Sequence, residues 1–62
     1  MKIILSNRDF EQYLKNFVYG LLLQVTEDIN EAYNFSSIEE AEILRVEVQH
    51  ATGNRWRIQE AE

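Results

Sequence analysis

Two short segments, near residue 3 and near residue 57, have apolar and polar patterns that favour strands. Residues 2–5 are rich in β-branched and aliphatic side chains, and residues 55–59 alternate strictly. In the second segment Trp56 and Ile58 fall on one face, and Arg55 and Arg57 fall on the other. A short run of β-branched and aliphatic residues is typical of a strand, and alternation with a period of two is typical of a half-buried strand. We therefore expect a strand in each segment.

Residues 9–16 show a different, helical spacing of apolar side chains. Phe10, Tyr13, Leu14 and Phe17 recur at intervals of three and four, which places them on one face of an α-helix. Ser6 precedes Asp9 by three residues, the spacing of a capping-box-like helix start. The pattern predicts a helix over residues 9–16.

The stretch from residue 17 to residue 33 fits both a helix and a strand. A helical apolar stripe continues through it to Tyr33, but residues 17–26 also alternate. Gly20 costs about 1 kcal/mol relative to alanine inside a helix, and the β-branched pair Val25 and Thr26 is stiff there. We favour a strand near residues 17–26, followed by a short strand at residues 33–35.

A second helix is signalled at both of its ends. Ser36 and Ser37 each precede a glutamate, Glu39 or Glu40, by three residues and can form a capping box, and Gly53 supplies a C-terminal stop. The residues expected on the buried face are Ile38, Ala41, Leu44 or Arg45, and Val48. A β-hairpin over residues 43–59 is the competing interpretation, because residues 44, 46 and 48 also alternate.

These elements predict a small α+β domain. The order strand, helix, strand, strand, helix, strand is the split βαβ arrangement of ferredoxin-like folds, with two helices on one face of an antiparallel sheet and the other face open. We expect one domain over residues 1–62. The alternative is an all-α helical hairpin that dimerises as a bundle.

Length and composition limit how such a domain is stabilised. A chain of 62 residues with no cysteine and one histidine cannot form disulfides or a zinc–cysteine site, and so small a core is marginally stable. Oligomerisation remains, and we expect a homodimer. The longest apolar run, residues 21–23, is too short for a membrane span, and no secretion signal is evident. We therefore expect a cytoplasmic protein that does not bind membranes.

Charge is distributed unevenly along the chain. The net charge is −5, and residues 26–47 contain seven acids and one base, so this segment carries −6 and the rest carries +1. Phosphate contacts need lysine and arginine, so direct nucleic-acid binding is disfavoured, whereas an acidic face suits a basic protein surface. The candidate binding residues are Glu39, Glu40, Glu42, Glu47, Arg55, Trp56 and Arg57.

No catalytic, cofactor or metal site is predicted. Nucleophilic catalysis needs a nucleophile and a base in contact, but His50 is the one histidine and the serines are placed as helix caps. Oxygen-bearing residues from Asp28 onward have the spacing of a calcium loop, but Ala32 and Tyr33 occupy positions that require an oxygen ligand and a glycine. We expect no enzyme activity.

The expected function is therefore binding of another protein, through the acidic surface of residues 27–47 or through the open sheet face. In size and composition the chain is similar to accessory and inhibitor proteins of phages and mobile elements, including anti-CRISPR proteins. One alternative is an acidic mimic of nucleic acid that occupies a basic cleft. The other is weak direct nucleic-acid binding, through Arg55, Trp56, Arg57, Lys2 and Arg8. Trp56 also fits a simpler interpretation, a core tryptophan between outward arginines.

Overall fold

A four-stranded antiparallel sheet with one α-helix against it forms the described part of the chain. The computed structural model describes residues 2–7, 9, 11–18 and 20–61, so Arg8, Phe10 and Tyr19 lie outside the described residues. The elements are β1 (Lys2–Asn7), β2 (Gln12–Val18), β3 (Leu22–Thr26), a 3₁₀ turn (Ile29–Glu31), α1 (Ile38–Thr52) and β4 (Trp56–Ala61). The α+β class is confirmed, whereas the all-α alternative is wrong.

The strand order is β3-β2-β1-β4, which differs from the predicted arrangement. Three strands come before α1 and one comes after it, and only one α-helix is present among the described residues. The two-helix, split βαβ prediction fails because residues 12–18 form a strand. β1 lies in the centre and pairs with β4 along its whole length, from Lys2 with Ala61 to Asn7 with Trp56.

A β-bulge explains why β2 resembles a helix in sequence. The pairing of β2 with β3 shifts register between Leu14 and Asn16, so one extra residue is inserted there. Leu14 and Phe17 then face the same side of the sheet although they are three residues apart, not two. A bulged strand therefore reproduces the i, i+3 spacing of a helix.

The turn between β1 and β2 uses the side chain that would cap a helix. The Asn7 side chain accepts a hydrogen bond from the Asp9 backbone N–H at 3.0 Å, an Asx turn with the same chemistry as a helix N-cap. Ser6, the predicted cap, lies within β1 and is 5% exposed. Glu11 closes the turn in the left-handed region, with φ 51°.

Residues 17–18 and 22–26 form strand, but they belong to two strands, β2 and β3, and not to the single strand predicted. Val18 and Leu22 are paired, and the Leu21 N–H donates to the Val18 carbonyl at 2.9 Å. Gly20 has φ +76°, a conformation that glycine adopts without steric cost. The strand predicted at residues 33–35 is reduced to a single bridge between Phe35 and Ile3.

Helix α1 begins and ends where the capping signals indicate. The Ser37 side chain accepts a hydrogen bond from the Glu40 N–H at 3.1 Å, which satisfies one N-terminal donor. Gly53 has φ 72° and donates its N–H to the Gln49 carbonyl at 2.8 Å. The hairpin alternative for residues 43–59 is therefore wrong. Ile38, expected on the buried face, is 51% exposed.

The hydrophobic core lies between α1 and the sheet. Its buried members are Leu5, Leu14, Phe35, Ala41, Val48 and Trp56, with Ile3, Phe17, Leu44 and Ile58 packed around them. α1 packs mainly on β4 and β1, that is, on one half of the sheet. The half formed by β2 and β3 is consequently less covered, and this determines where exposed apolar surface remains.

Candidate interaction surfaces

The outward side of α1 carries apolar side chains among carboxylates. Ile43 is 63% exposed and Val46 is 43% exposed, although Ala41 and Val48 on the opposite side are fully buried. A helix that is apolar on one side only would place polar residues at these outward positions. We call Glu39, Ile43, Val46 and His50, which follow one another at helical spacing, the outer face of α1.

Three carboxylates border this outer face. Glu40 and Glu47 are neighbours of Ile43 at i−3 and i+4 and are half-buried, whereas Glu42 on the other border is exposed. Glu40 accepts a hydrogen bond from the Ser36 hydroxyl, which fixes its position near the start of the helix. The predicted binding carboxylates are therefore brought together along one helix, around an exposed apolar centre.

One of these carboxylates is neutralised by an ion pair. The Arg45 guanidinium donates two hydrogen bonds to Glu42, one of them from Nε at 3.0 Å. This hydrogen bonding lowers the pKa of the Glu42 carboxyl and raises the pKa of Arg45. Arg45 also donates to the Gln49 side chain at 2.8 Å, so it is held by α1 itself.

The acids that precede α1 are used mainly in the loop. The Asp28 side chain accepts the Asn30 N–H at 2.9 Å and caps the 3₁₀ turn. Glu31 accepts a hydrogen bond from the Thr26 hydroxyl at 3.0 Å. The calcium-like spacing in this region thus corresponds to a capped turn followed by a capped helix. No group of three or more potential metal ligands occurs within residues 2–7, 9, 11–18 and 20–61.

Trp56 is separated from the arginines on either side of it. Its side chain is 4% exposed, and its indole N–H donates to the Thr52 hydroxyl at 3.0 Å. Arg55 and Arg57 are both exposed. A buried indole with its donor satisfied cannot stack on a base, so the structure agrees with the core interpretation of Trp56.

The sequence did not reveal how Trp56 would be held. Gln49 accepts the Trp56 backbone N–H at 3.2 Å, and Thr52 in turn donates its own hydroxyl to the Val48 carbonyl at 2.8 Å. Both residues lie in the last turn of α1, close in sequence to Trp56. The signal in the sequence for this role was the presence of two polar residues, Gln49 and Thr52, in the four positions before the C-cap glycine.

Arg57 belongs to a polar depression on the face of the sheet opposite α1. Its Nε donates to the Ser6 hydroxyl at 3.3 Å, consistent with the direct pairing of Ser6 and Arg57 across β1 and β4. The residues lining the depression are Ser6, Asn7, Glu11, Gln12, Tyr13, Glu27, Arg57 and Gln59. Arg57 therefore lies far from the outer face of α1, and the predicted site residues form two groups, not one.

A second exposed apolar surface occurs on the β2–β3 hairpin, and it was not predicted as a site. Leu21 is 85% exposed, and Val18, Leu22, Leu23 and Val25 are between 38% and 45% exposed. The signal in the sequence was present: residues 16–26 contain no charged residue.

No known family, curated protein or solved structure matches this chain.

The interaction surfaces must therefore be interpreted from their own chemistry. The described serines act in structural hydrogen bonds, with Ser37 capping α1, Ser36 donating to Glu40 and Ser6 accepting from Arg57. No helix within the described residues is long and apolar enough to cross a membrane. The most distinctive features are thus two exposed apolar areas, one bordered by carboxylates and one without charge.

Proposed function

We propose that this chain is a non-enzymatic protein-binding domain that docks on its partner through the outer face of α1. The observation that supports the proposal is the position of Ile43, which is 63% exposed and has Glu39, Glu40 and Glu47 as its helical neighbours. Exposed apolar side chains surrounded by polar ones are typical of protein interaction sites. A central anchor bordered by groups that exclude water is also the usual arrangement of an energetic hot spot.

The charge of this region indicates the chemistry of the partner. The segment of residues 26–47 carries −6, and of the carboxylates along α1 only Glu42 is ion-paired among the described residues. A complementary surface would have an apolar groove for Ile43 and Val46, with lysine or arginine residues along its borders. Binding of an amphipathic helix face in such a groove is a common mode of recognition.

The two kinds of residue would make different contributions to binding. Carboxylates at the border steer the encounter, so their removal mainly slows association and weakens its salt dependence. The apolar centre is buried in the complex, so its removal mainly speeds dissociation. If the groove on the partner is also the surface through which the partner acts, binding of this chain would inhibit or modulate the partner's activity. A cytoplasmic location stays a prediction from the sequence.

The test measures both contributions on a purified complex. The wild-type chain is used to capture partners from its own cells, and a captured protein is then produced pure for surface plasmon resonance. We expect Ile43→Ala to weaken binding by at least about tenfold, mainly through the dissociation rate. Glu39→Gln together with Glu47→Gln should slow association at low salt and have little effect at high salt.

Leu21→Ala is the matched control, because Leu21 is equally apolar and even more exposed but lies on the hairpin. It should bind as the wild type does. Full affinity of the Ile43→Ala variant, with loss of binding in Leu21→Ala, would contradict docking through α1.

A nucleic-acid mimic remains the alternative, and it makes a different prediction. A mimic depends on carboxylates alone, so the glutamine variants would abolish binding and Ile43→Ala would not affect it. It would also compete with oligonucleotides for the partner. The exposed apolar pair Ile43 and Val46 at the centre of the acidic surface favours a protein groove over a phosphate-binding cleft.

A further inference from the structure

β3 has a free edge that lacks the usual protection. It pairs with β2 on one side, and no other described strand lies on its other side. In antiparallel pairing, the backbone N–H and C=O groups of alternate residues point away from the partner strand, so β3 presents such groups outward. Edge strands are normally protected by lysine, proline or a covering element. The five residues of β3, Leu-Leu-Gln-Val-Thr, include neither lysine nor proline.

Apolar side chains lie on both faces of this edge. Val25 is opposite Leu14, and Leu23 is opposite Phe17, on the side of the sheet that α1 covers; Leu22 is opposite Val18 on the other side. Each of the three apolar residues of β3 is between 38% and 42% exposed. Because α1 packs mainly on β4 and β1, it leaves these side chains in contact with water.

The charge distribution indicates what can cover the edge. Residues 16–26 contain no charged side chain, so the whole net charge of −5 is carried by the other residues. Two copies that meet through α1 and the loop before it, where residues 26–47 carry −6, would bring acidic groups together, whereas two copies that meet through β3 would not. An uncharged surface also offers no ion-pairing group to a basic partner. The surface therefore fits a second copy of this chain.

We infer that two copies join through antiparallel pairing of β3 with β3, so that one sheet of eight strands runs through the dimer. An antiparallel pair of identical strands has a two-fold axis, which makes the interface closed and self-complementary. The pairing satisfies the outward backbone groups. It also brings Leu22, Leu23 and Val25 of each copy against their equivalents on both faces of the sheet.

The surface area that such a dimer interface must bury is modest. A specific interface buries at least about 1,000 Å² in total, or about 500 Å² from each copy, which is about one ninth of the 4364 Å² surface of the chain. The hairpin with its exposed leucines and valines provides surface of this kind. Dimerisation is also a usual way for so short a chain to compensate for a small core.

A matched pair of valine variants tests the location of the interface. Val25 and Val46 have similar exposure, 38% and 43%, but lie on β3 and on α1. We expect sedimentation velocity to show a dimer for the wild type and for Val46→Lys, and a dimer at least about tenfold weaker for Val25→Lys. A wild type that stays monomeric at several hundred micromolar, or a dimer lost in Val46→Lys and kept in Val25→Lys, would overturn the inference.

A second variant covers the case in which lysine unfolds the strand. Leu22→Thr together with Leu23→Thr keeps high β-propensity and removes the apolar surface, and circular dichroism establishes that the variant is folded. This variant should be a monomer under conditions in which the wild type is a dimer. A folded double variant that dimerises as tightly as the wild type would show that the interface lies elsewhere.

The absence of cysteine from the chain allows a direct measurement of the pairing. Directly opposite residues of antiparallel strands have Cα atoms about 4.5–5.5 Å apart, which a disulfide can span. Single cysteines are introduced in turn at positions 22 to 26 and oxidised. Efficient cross-linking should be confined to one or two neighbouring positions, which identifies the residue nearest the two-fold axis.

His50→Cys on the outer face of α1 is the control and should not cross-link. Cross-linking at His50→Cys in preference to all of the β3 variants would overturn the inference. The proposed function is tested separately, because a monomer that still binds its partner through Ile43 would refute the dimer and leave the docking site on α1 intact.

Discussion

The two edges of the sheet, β4 and β3, have opposite characters. β4 places Trp56 and Ile58 under α1, and its other positions include Arg57 and Glu60, which protect an edge from pairing with another chain. β3 has apolar residues on both faces and no charge. α1 thus divides the sheet into a half that it covers and a half whose apolar side chains stay partly exposed.

The largest difference between the two edges should be seen when an aromatic anchor is removed. Trp56→Ala leaves a cavity in the core and should lower the free energy of unfolding by about 3–5 kcal/mol, a large part of the stability of so small a domain. Urea denaturation at a fixed, low protein concentration measures it. Leu21→Ala, in the turn that leads into the other edge strand and 85% exposed, should change the free energy of unfolding by less than about 0.5 kcal/mol; equal losses would contradict the comparison.

The hydrogen bond that holds Trp56 should have the next largest effect. Thr52→Val keeps the shape of the side chain but removes the acceptor of the indole N–H, leaving a buried donor unsatisfied. We expect a loss of about 1–3 kcal/mol in the free energy of unfolding, measured in the same urea titration. Thr52→Ser keeps the hydroxyl and should retain most of the stability, so a similar loss in both variants would assign the effect to packing.

Substitutions of Gly20 and Gly53 test the turns that lead into the two edge strands, β3 and β4. Gly20 and Gly53 both have positive φ, and a Cβ at either position would meet no atom within 4 Å. Alanine at either position should therefore cost about 1–2 kcal/mol through backbone strain alone. Asparagine tolerates this conformation better, so Gly20→Asn and Gly53→Asn should melt between wild type and the alanine variants in a thermal scan. Melting of the asparagine variants below the alanine variants would exclude backbone strain as the cause.

The ion pair on α1 should have the smallest effect, and it depends on pH. Because the folded-state pKa of Glu42 lies below its ordinary value of 4.5, the pair contributes stability above about pH 4.5, and this contribution is lost as the pH falls through the lowered pKa. The effect is small because the pair is at the surface. In melting curves between pH 6 and pH 2, Glu42→Gln should lose less stability than the wild type; parallel curves would contradict this.

An element could be predicted from the sequence where interactions between residues close in sequence determine it. The ends of α1 were predictable, because Ser37 and Gly53 act on backbone groups within one helical turn. β2 was not predictable, because its bulge next to Leu14 imitates helical spacing. The same limitation applied to Asn7, since an Asx turn and a helix cap use the same side chains.

The candidate sites were predicted in part for a similar reason. Acidic residues on α1 could be located once the helix was assigned, and the alternation around Trp56 already indicated a core role. Ile43 was not among the residues predicted for the buried face of α1, so its exposure was implied, but no site was assigned to it. The uncharged segment of residues 16–26 was visible, but its meaning depended on the position of β3 at an edge.

The pairing of β1 with β4 also affects how the chain can fold during synthesis. Lys2 pairs with Ala61, so the central strand leaves the ribosome long before its main partner is available. Contacts between residues so distant in sequence form slowly. Until then β2 and β3, which are neighbours in sequence, are the strands that can pair, and residues 16–26 between and within them are largely apolar and carry no charge. A nascent chain would therefore be most exposed to aggregation through the segment that we assign to the dimer.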